Sequence, residues 1–488
     1  MKKIGLLFTM LIIPFVLSAQ DSLSLEQCRS LALEHNQKMK MAEKQVDAAD
    51  AVKKSAFTQY LPNFSINGVY TYMNKDYQLL KNDMFLPVVP YTAIDATTGG
   101  LSSAVYTDPS VAASTFVINP STGKVVTDAS GNPVFQKYTY LPASKTAFSL
   151  NNIYAINGGF TQPVYMGGKI RETNKIAAYT KELAEHNLSL KQNELIYSVE
   201  EAYWRIVSLR EKVKMAEEYQ QMLKSLVSDL ENIHSEGIIT NNDLLKAKLK
   251  LSESDILLLK AKNGMELSKM VLCQMTGIPY SSGIKLTDSL NQTEPSVMNY
   301  AVNEEEIAER PELKILEKNV DIAQSGIKLM QSRYLPNIVL NAGYTSMNPN
   351  PYNGLTEEFG SDFTVGVVCN IPIFHFGDKK HTLDAARSEH DAAILKLEET
   401  KELLVVQLQQ AVYNYNESVK KTEYASLALE QSKENLSYTQ DNFKEGILKT
   451  TDVLEAQVLW QKAYSELIDA RTDQQMAVSN LKKVTGKY

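Results

Sequence analysis

The sequence predicts a mainly α-helical fold with a transmembrane β part, and three observations carry that expectation. The chain repeats itself: Gln37 to Met73 matches Pro311 to Met347 at a constant offset of 274, and a later block matches at an offset of 209. Long proline-free stretches place apolar residues every three or four positions, the spacing of coiled-coil helices. Four segments of about ten residues alternate apolar with polar side chains instead, the period of strands.

Composition bounds the answer before any motif is read. With 488 residues, 44% hydrophobic, 22% charged and a formal charge of -7, the chain is neither disordered, collagen-like nor a disulfide framework. Tyr outnumbers Phe and Trp together, 25 against 16, which suits surfaces where a ring meets lipid while its hydroxyl stays hydrated. Cys28, Cys273 and Cys369 lie far apart with no CxxC spacing, so neither a zinc site nor a disulfide set is expected. Lys2 and Lys3 precede an apolar run from Ile4 to Leu17 and then Ser18-Ala19-Gln20, a secretory signal peptide over 1–19. Cleavage after Ala19 leaves a mature charge of about -9. Cys28 stands too far downstream for an N-terminal lipid anchor. No later stretch is apolar enough for a helical span, so membrane insertion must use strands.

The elements follow in order. A helical region covers 20–60 and ends at QYLPN, Gln59 to Asn63, whose counterpart RYLPN runs from Arg333 to Asn337. After each motif the period becomes two. Phe64, Ile66, Tyr70 and Tyr72 alternate with Ser65, Asn67 and Thr71, and Ile338, Leu340, Ala342 and Tyr344 alternate with Asn337, Asn341 and Thr345. A second strand in each copy is expected from Phe148 to Phe160 and from Phe363 to Ile371. The two offsets differ, so the first strand pair, 61–165, holds a large insertion over 74–147, rich in Pro, Thr, Ser, Gly, Asn and Tyr and read as loop with hairpin. Helical hairpins are expected over 166–278 and 374–488, with a linker over 279–303, a helix over 304–334 and the second strand pair over 335–373. Within the first hairpin Val199, Ala202, Ile206, Leu209, Val213, Ala216, Gln220, Leu223, Val227 and Leu230 keep the three–four step, nine of the ten apolar or small.

Four amphipathic strands cannot close a sheet in lipid, where each unsatisfied backbone group costs several kcal/mol. Two copies would give eight strands, whose interior side chains fill, whereas three give twelve and leave a lumen. A homotrimer is therefore expected: a 12-stranded β-barrel in the bilayer, continued by helical hairpins as an α-barrel.

The duplicated helix-strand-strand-helix order, the YLPN motifs, and EGIITNNDLLKA from Glu236 beside EGILKTTDVLEA from Glu445 together resemble the TolC-like outer-membrane efflux proteins. The resemblance spans essentially the whole mature chain. It implies a passive exit duct in the outer membrane of a Gram-negative bacterium, its helices in the periplasm. It also implies two partners: a periplasmic adaptor and an inner-membrane transporter of the RND or ABC type, in a tripartite pump or type I secretion system.

Gly237 and Gly446 stand where a long helix stops and a positive φ is commonly required. By resemblance, Gly237-Ile238 and Gly446-Ile447 also meet the adaptor. Asp243 and Asp452 open the returning helices, where a carboxylate caps free amides. In a trimer Asp452 and Glu455 become two rings of three carboxylates that select cations, and the resemblance places acidic residues at the periplasmic constriction in these positions. The first copy keeps Asp243 but has Lys246 opposite Glu455. The Tyr and Arg that tie the family's gate shut have Phe443 and Leu448 in their place. Pro62, Pro163, Pro336 and Pro372 read as joints between barrel and tunnel, because proline continues neither ladder nor helix.

No metal, cofactor or catalytic constellation is expected. The six His, among them His375, His381 and His390, lack ligand spacing, and no Walker loop, GxGxxG or nucleophile elbow appears. A net acidic chain without a basic stripe argues against nucleic acid. The competing reading is an exported coiled-coil adhesion protein whose 74–147 insertion binds a surface partner.

Overall fold

A computed structural model describes residues 22–75, 77–148, 150–280, 284–290 and 307–488. The expected signal peptide over 1–19 and most of the expected 279–303 linker lie outside them. The chain divides into two compact units: a helical one of residues 1–59, 166–336 and 371–488, and a β unit of 60–165 and 337–370.

The helical unit begins with α1 (Leu25–His35) and α2 (Gln37–Thr58). Ser24 caps α1 with a reciprocal box to Gln27, and the side chain of Asn36 caps α2 by accepting from Lys38 N–H at 2.8 Å. Then come α3 (Lys169–Ser235), α4 (Asn241–Thr276), α5 (Pro311–Ser332), α6 (Asp378–Lys444) and α7 (Thr450–Val484). Both α3 and α6 have 67 residues, roughly 100 Å of helix. Helices α3 and α4 form one hairpin and α6 and α7 the other. Helix α3 also packs on α2, α5 and α7, while α5 bridges α3 and α6.

That position explains the burial of α3. Of the predicted series Val199, Ala202, Ile206, Ala216, Leu223, Val227 and Leu230 are buried while Leu209, Val213 and Gln220 are only partly so, and Tyr203, Val207, Met215, Tyr219 and Leu226 form a second buried lane. Two apolar lanes are what a helix needs when it is flanked on both sides. One core cluster runs through α3, α4, α6 and α7, and Lys212 of α3 meets Asp469 of α7 at 2.6 Å. Two-residue strands Ser22–Leu23 and Lys285–Leu286 pair in parallel beside this core. Tyr203 donates to Asp288 at 2.5 Å, and Arg210 donates to the carbonyls of Leu286 and Asp288, so the segment after α4 is held on α3.

The β unit holds β1 (Asn63–Tyr72), β2 (Asn152–Met166), β3 (Asn337–Asn348) and β4 (Gly360–Asn370) in the order β4-β3-β2-β1. Both hairpin pairs are antiparallel, running from Asn63 opposite Thr161 to Tyr72 opposite Asn152, and from Asn337 opposite Asn370 to Met347 opposite Gly360. Two expectations are corrected here. The strand expected from Phe148 is split: Ala147–Phe148 pairs with Tyr77–Gln78, and β2 itself starts at Asn152, opposite the Tyr72 end of β1. It also runs through Pro163 to Met166; the β1 pairing stops at Thr161, so the missing proline N–H breaks no bond of that ladder.

One face of the sheet is apolar and aromatic. Phe64 lies against Phe160 at 5.6 Å between ring centres and Tyr70 against Tyr154 at 5.1 Å, with Ile66, Tyr344 and Phe363 beside them. The other face carries Ser65, Asn67, Asn157, Asn341, Thr345 and Thr364, and Thr345 donates across strands to Asn157 at 2.7 Å. Every residue of β1 is exposed, so none of the described residues forms a layer over either face of that strand. The insertion is folded rather than loose: Met84–Val88 pairs with Lys137–Leu141, and Ala93, Val105 and Phe116 form a small core of their own. Among the described residues no helix is long and apolar enough to cross a membrane.

Candidate functional site at the helical tips

Each hairpin turns through the same backbone motif. After α3, Gly237 N–H donates to the carbonyl of His234 at 2.9 Å and Ile238 N–H to that of Ile233 at 3.2 Å. After α6, Gly446 donates to Phe443 at 3.0 Å and Ile447 to Asn442 at 2.9 Å. These nested bonds are Schellman caps, which require a left-handed residue at the glycine position. Gly237 has φ +76° and Gly446 φ +77°. The isoleucine that follows is thrown outward, Ile238 being 70% and Ile447 66% exposed, so each tip shows an apolar side chain to its surroundings.

The returning helices are capped differently. Thr240 caps α4: its hydroxyl accepts from Asp243 N–H at 3.3 Å and donates to the Asp243 carboxylate at 2.7 Å, and Lys246 stands 3.9 Å from the other carboxylate oxygen. In α7, Asp452 reaches back and accepts from Lys449 N–H at 2.9 Å. Asp452 thus caps its helix while remaining half-exposed, one turn from the exposed Glu455 and near the exposed Leu459. Asp243 has a cation beside it and Asp452 a second carboxylate, so the two tips differ in charge. Phe443 is partly buried against the core, which makes it packing at this turn.

Sequence reasoning missed one element of the tips. A groove between α3 and the α6–α7 hairpin is lined by Asp229, Ile233, Gln440, Phe443 and Gln457. Gln457 is 1% exposed, and its Oε1 has no hydrogen-bond partner among the described residues. A glutamine where the coiled-coil pattern asks for an apolar residue was the available signal. The four prolines stand near the points where the chain crosses between units: Pro62 just before β1, Pro163 inside β2, Pro336 just before β3 and Pro372 after β4.

The sequence model of the outer membrane efflux protein family matches residues 143–277 and 302–487. The chain belongs to that family. Outer membrane protein TolC of Vibrio cholerae serotype O1 is 24% identical over 309 residues, 62% of this chain and 70% of TolC. Alkaline protease secretion protein AprF of Pseudomonas aeruginosa is 19% identical over 307 residues, 62% of this chain and 64% of AprF. The solved structure of outer membrane protein VceC from Vibrio cholerae matches with a TM-score of 0.68 at 14% identity, covering 95% of this chain and 96% of VceC, a likeness of fold. The chain is an efflux-family protein of the Gram-negative outer membrane, with its helical part in the periplasm.

Proposed function

We propose that three copies of this chain assemble into one continuous duct, a passive exit channel for a tripartite pump or type I secretion system. The observation that carries this reading is a comparison of the two copies inside the chain. Helix α7 packs on α3 within one subunit, and the duplication makes α4 equivalent to α7 and α6 equivalent to α3. Leu454 and Ile468 of α7 are 7% and 3% exposed, whereas their counterparts Leu245 and Leu259 of α4 are 55% and 59% exposed. Trp204 and Met215 of α3 are 6% and 2% exposed, whereas Tyr413 and Tyr424 of α6 are 74% and 67% exposed. A single subunit therefore buries one such seam and leaves both halves of a second seam open. Pairing α4 of one subunit with α6 of the next closes it, each buried large side chain contributing roughly 1.5–3 kcal/mol.

The sheet supports the same reading. Its outer strands β1 and β4 have no strand neighbour on one side among the described residues, and unpaired edges are untenable in hydrocarbon. Three sheets end to end give twelve strands, with the aromatic face toward lipid and the Asn/Thr/Ser face toward a wet lumen.

In this assembly Asp452 and Glu455 form the acidic constriction, with Asp243 nearby. The exposed Ile238 and Ile447, with Gly237 and Gly446 setting the turn, form the surface for a periplasmic adaptor, which in turn engages an inner-membrane transporter of the RND or ABC type. Pro62, Pro163, Pro336 and Pro372 mark the joints between barrel and tunnel. In planar bilayers the purified protein is expected to pass cations in preference to anions and to be blocked by multivalent cations from the periplasmic side. Unchanged selectivity and block in the double variant Asp452→Ala, Glu455→Ala would remove the acidic rings from this account.

A further inference from the structure

The two copies also differ at the turns that precede the two long helices. Gly167-Gly168 before α3 is equivalent to Phe376-Gly377 before α6, and all four residues have positive φ: +62° and +89° in the first copy, +45° and +90° in the second. In the first copy glycine is enforced by contact. A Cβ on Gly167 would lie 2.7 Å from Leu335 Cβ and 2.7 Å from the Ser332 carbonyl oxygen, because the end of α5 covers the turn.

In the second copy the position holds a phenylalanine in the left-handed region, a conformation that costs a bulky residue about 1–3 kcal/mol. Phe376 is 92% exposed. Ile373 and Phe374 beside it are also exposed, and the Phe374 and Phe376 rings meet edge to face at 4.8 Å. The chain thus holds a strained backbone whose aromatic cluster is covered by none of the described residues.

The duplication names the occupant. Ser332, which covers Gly167, is equivalent to Thr58 at the end of α2, and Phe57 beside it is 58% exposed. The end of α2 is fixed to its own α3, where Asn174 donates to the Ala56 carbonyl at 3.0 Å. We infer that Phe374 and Phe376 of one subunit dock on Phe57 and Thr58 at the end of α2 of the neighbouring subunit, forming an aromatic inter-subunit seam. This rests on the assembly proposed above. Of six pseudo-equivalent joints around the duct, three are then closed tightly by Gly167 within a chain. The other three are held apart by rings between chains, which reduces a six-fold pseudo-symmetry to a true three-fold.

The test uses the full chain in detergent, with Cys369, the exposed thiol, changed to Ser. Phe57→Cys combined with Phe376→Cys is expected to give covalent dimers and trimers on oxidation, and neither single variant should do so. An oligomer of normal mass without that crosslink overturns the seam alone, whereas a monomer overturns the assembly itself. Phe376→Gly separates the seam from a local role. Relief of backbone strain alone would raise the temperature at which the oligomer dissociates, and the seam requires a fall. Strong quenching of a Phe376→Trp variant by brominated lipid would show the cluster to be a membrane anchor and overturn the inference.

Discussion

Gly446 shows how a single residue sets the tip. Nothing lies within 4 Å of where its Cβ would be, so a substitution there meets no obstacle and its cost is purely conformational. Gly446→Val is expected to destabilise the turn by about 1–2 kcal/mol, the penalty of a left-handed L-residue. The check is faster amide exchange at 442–452 with the mid-helix of α6 unaffected. Cys28 gives a second residue-scale expectation. It is fully buried, and burial, aided by Asp288 and Cys273, pushes its thiol up to about 12. The reactive thiolate is therefore scarce at pH 8, and maleimide should modify Cys28 only after the protein is unfolded. Labelling of native protein at Cys28 would show that the α1–α3 core opens readily.

At the scale of elements, the open faces of α4 and α6 make the sharpest claim. The Lys212–Asp469 pair that links α3 to α7 has the counterparts Lys421 on α6, which is paired with Asp473 of α7 at 2.6 Å, and Lys260 on α4, two cations where the closed seam has a pair. Lys260→Asp should raise the dissociation temperature of the oligomer, within the roughly 0–1 kcal/mol that an exposed pair contributes per seam. Leu259→Asp should abolish assembly while leaving helix content by circular dichroism unchanged. If Lys260→Asp weakened the oligomer and Leu259→Asp spared it, α4 would not face a neighbouring subunit.

For the whole molecule, the amphipathic sheet and the open helix faces are two independent incompletenesses, and one operation, three-fold assembly, satisfies both. The duplicated chain supplies two quasi-equivalent repeats, and it is their differences that carry the argument: Trp204 against Tyr413, Ile468 against Leu259, Gly167 against Phe376. Such differences are written in the sequence, yet they become meaningful only when burial is known. Reading down the duplicate blocks could have flagged Gly167 against Phe376 at once, since glycine and phenylalanine rarely serve the same contact.

The mainly helical fold with its β part was legible in the residues alone, because periodicity is a local property. A period of two after each LPN motif makes strands at Asn63 and Asn337, and a three–four step makes the long helices. The turn at both tips was legible too, since a glycine that follows a long helix supplies the left-handed residue of a Schellman cap. Where β2 starts, and that it runs through Pro163, follows from tertiary pairing, because strand limits depend on where the partner strands lie. Tertiary packing likewise decided that α3 is buried on two sides while α6 keeps one side open, because burial is a relation between elements and a single helix cannot state which of its apolar lanes a neighbour covers.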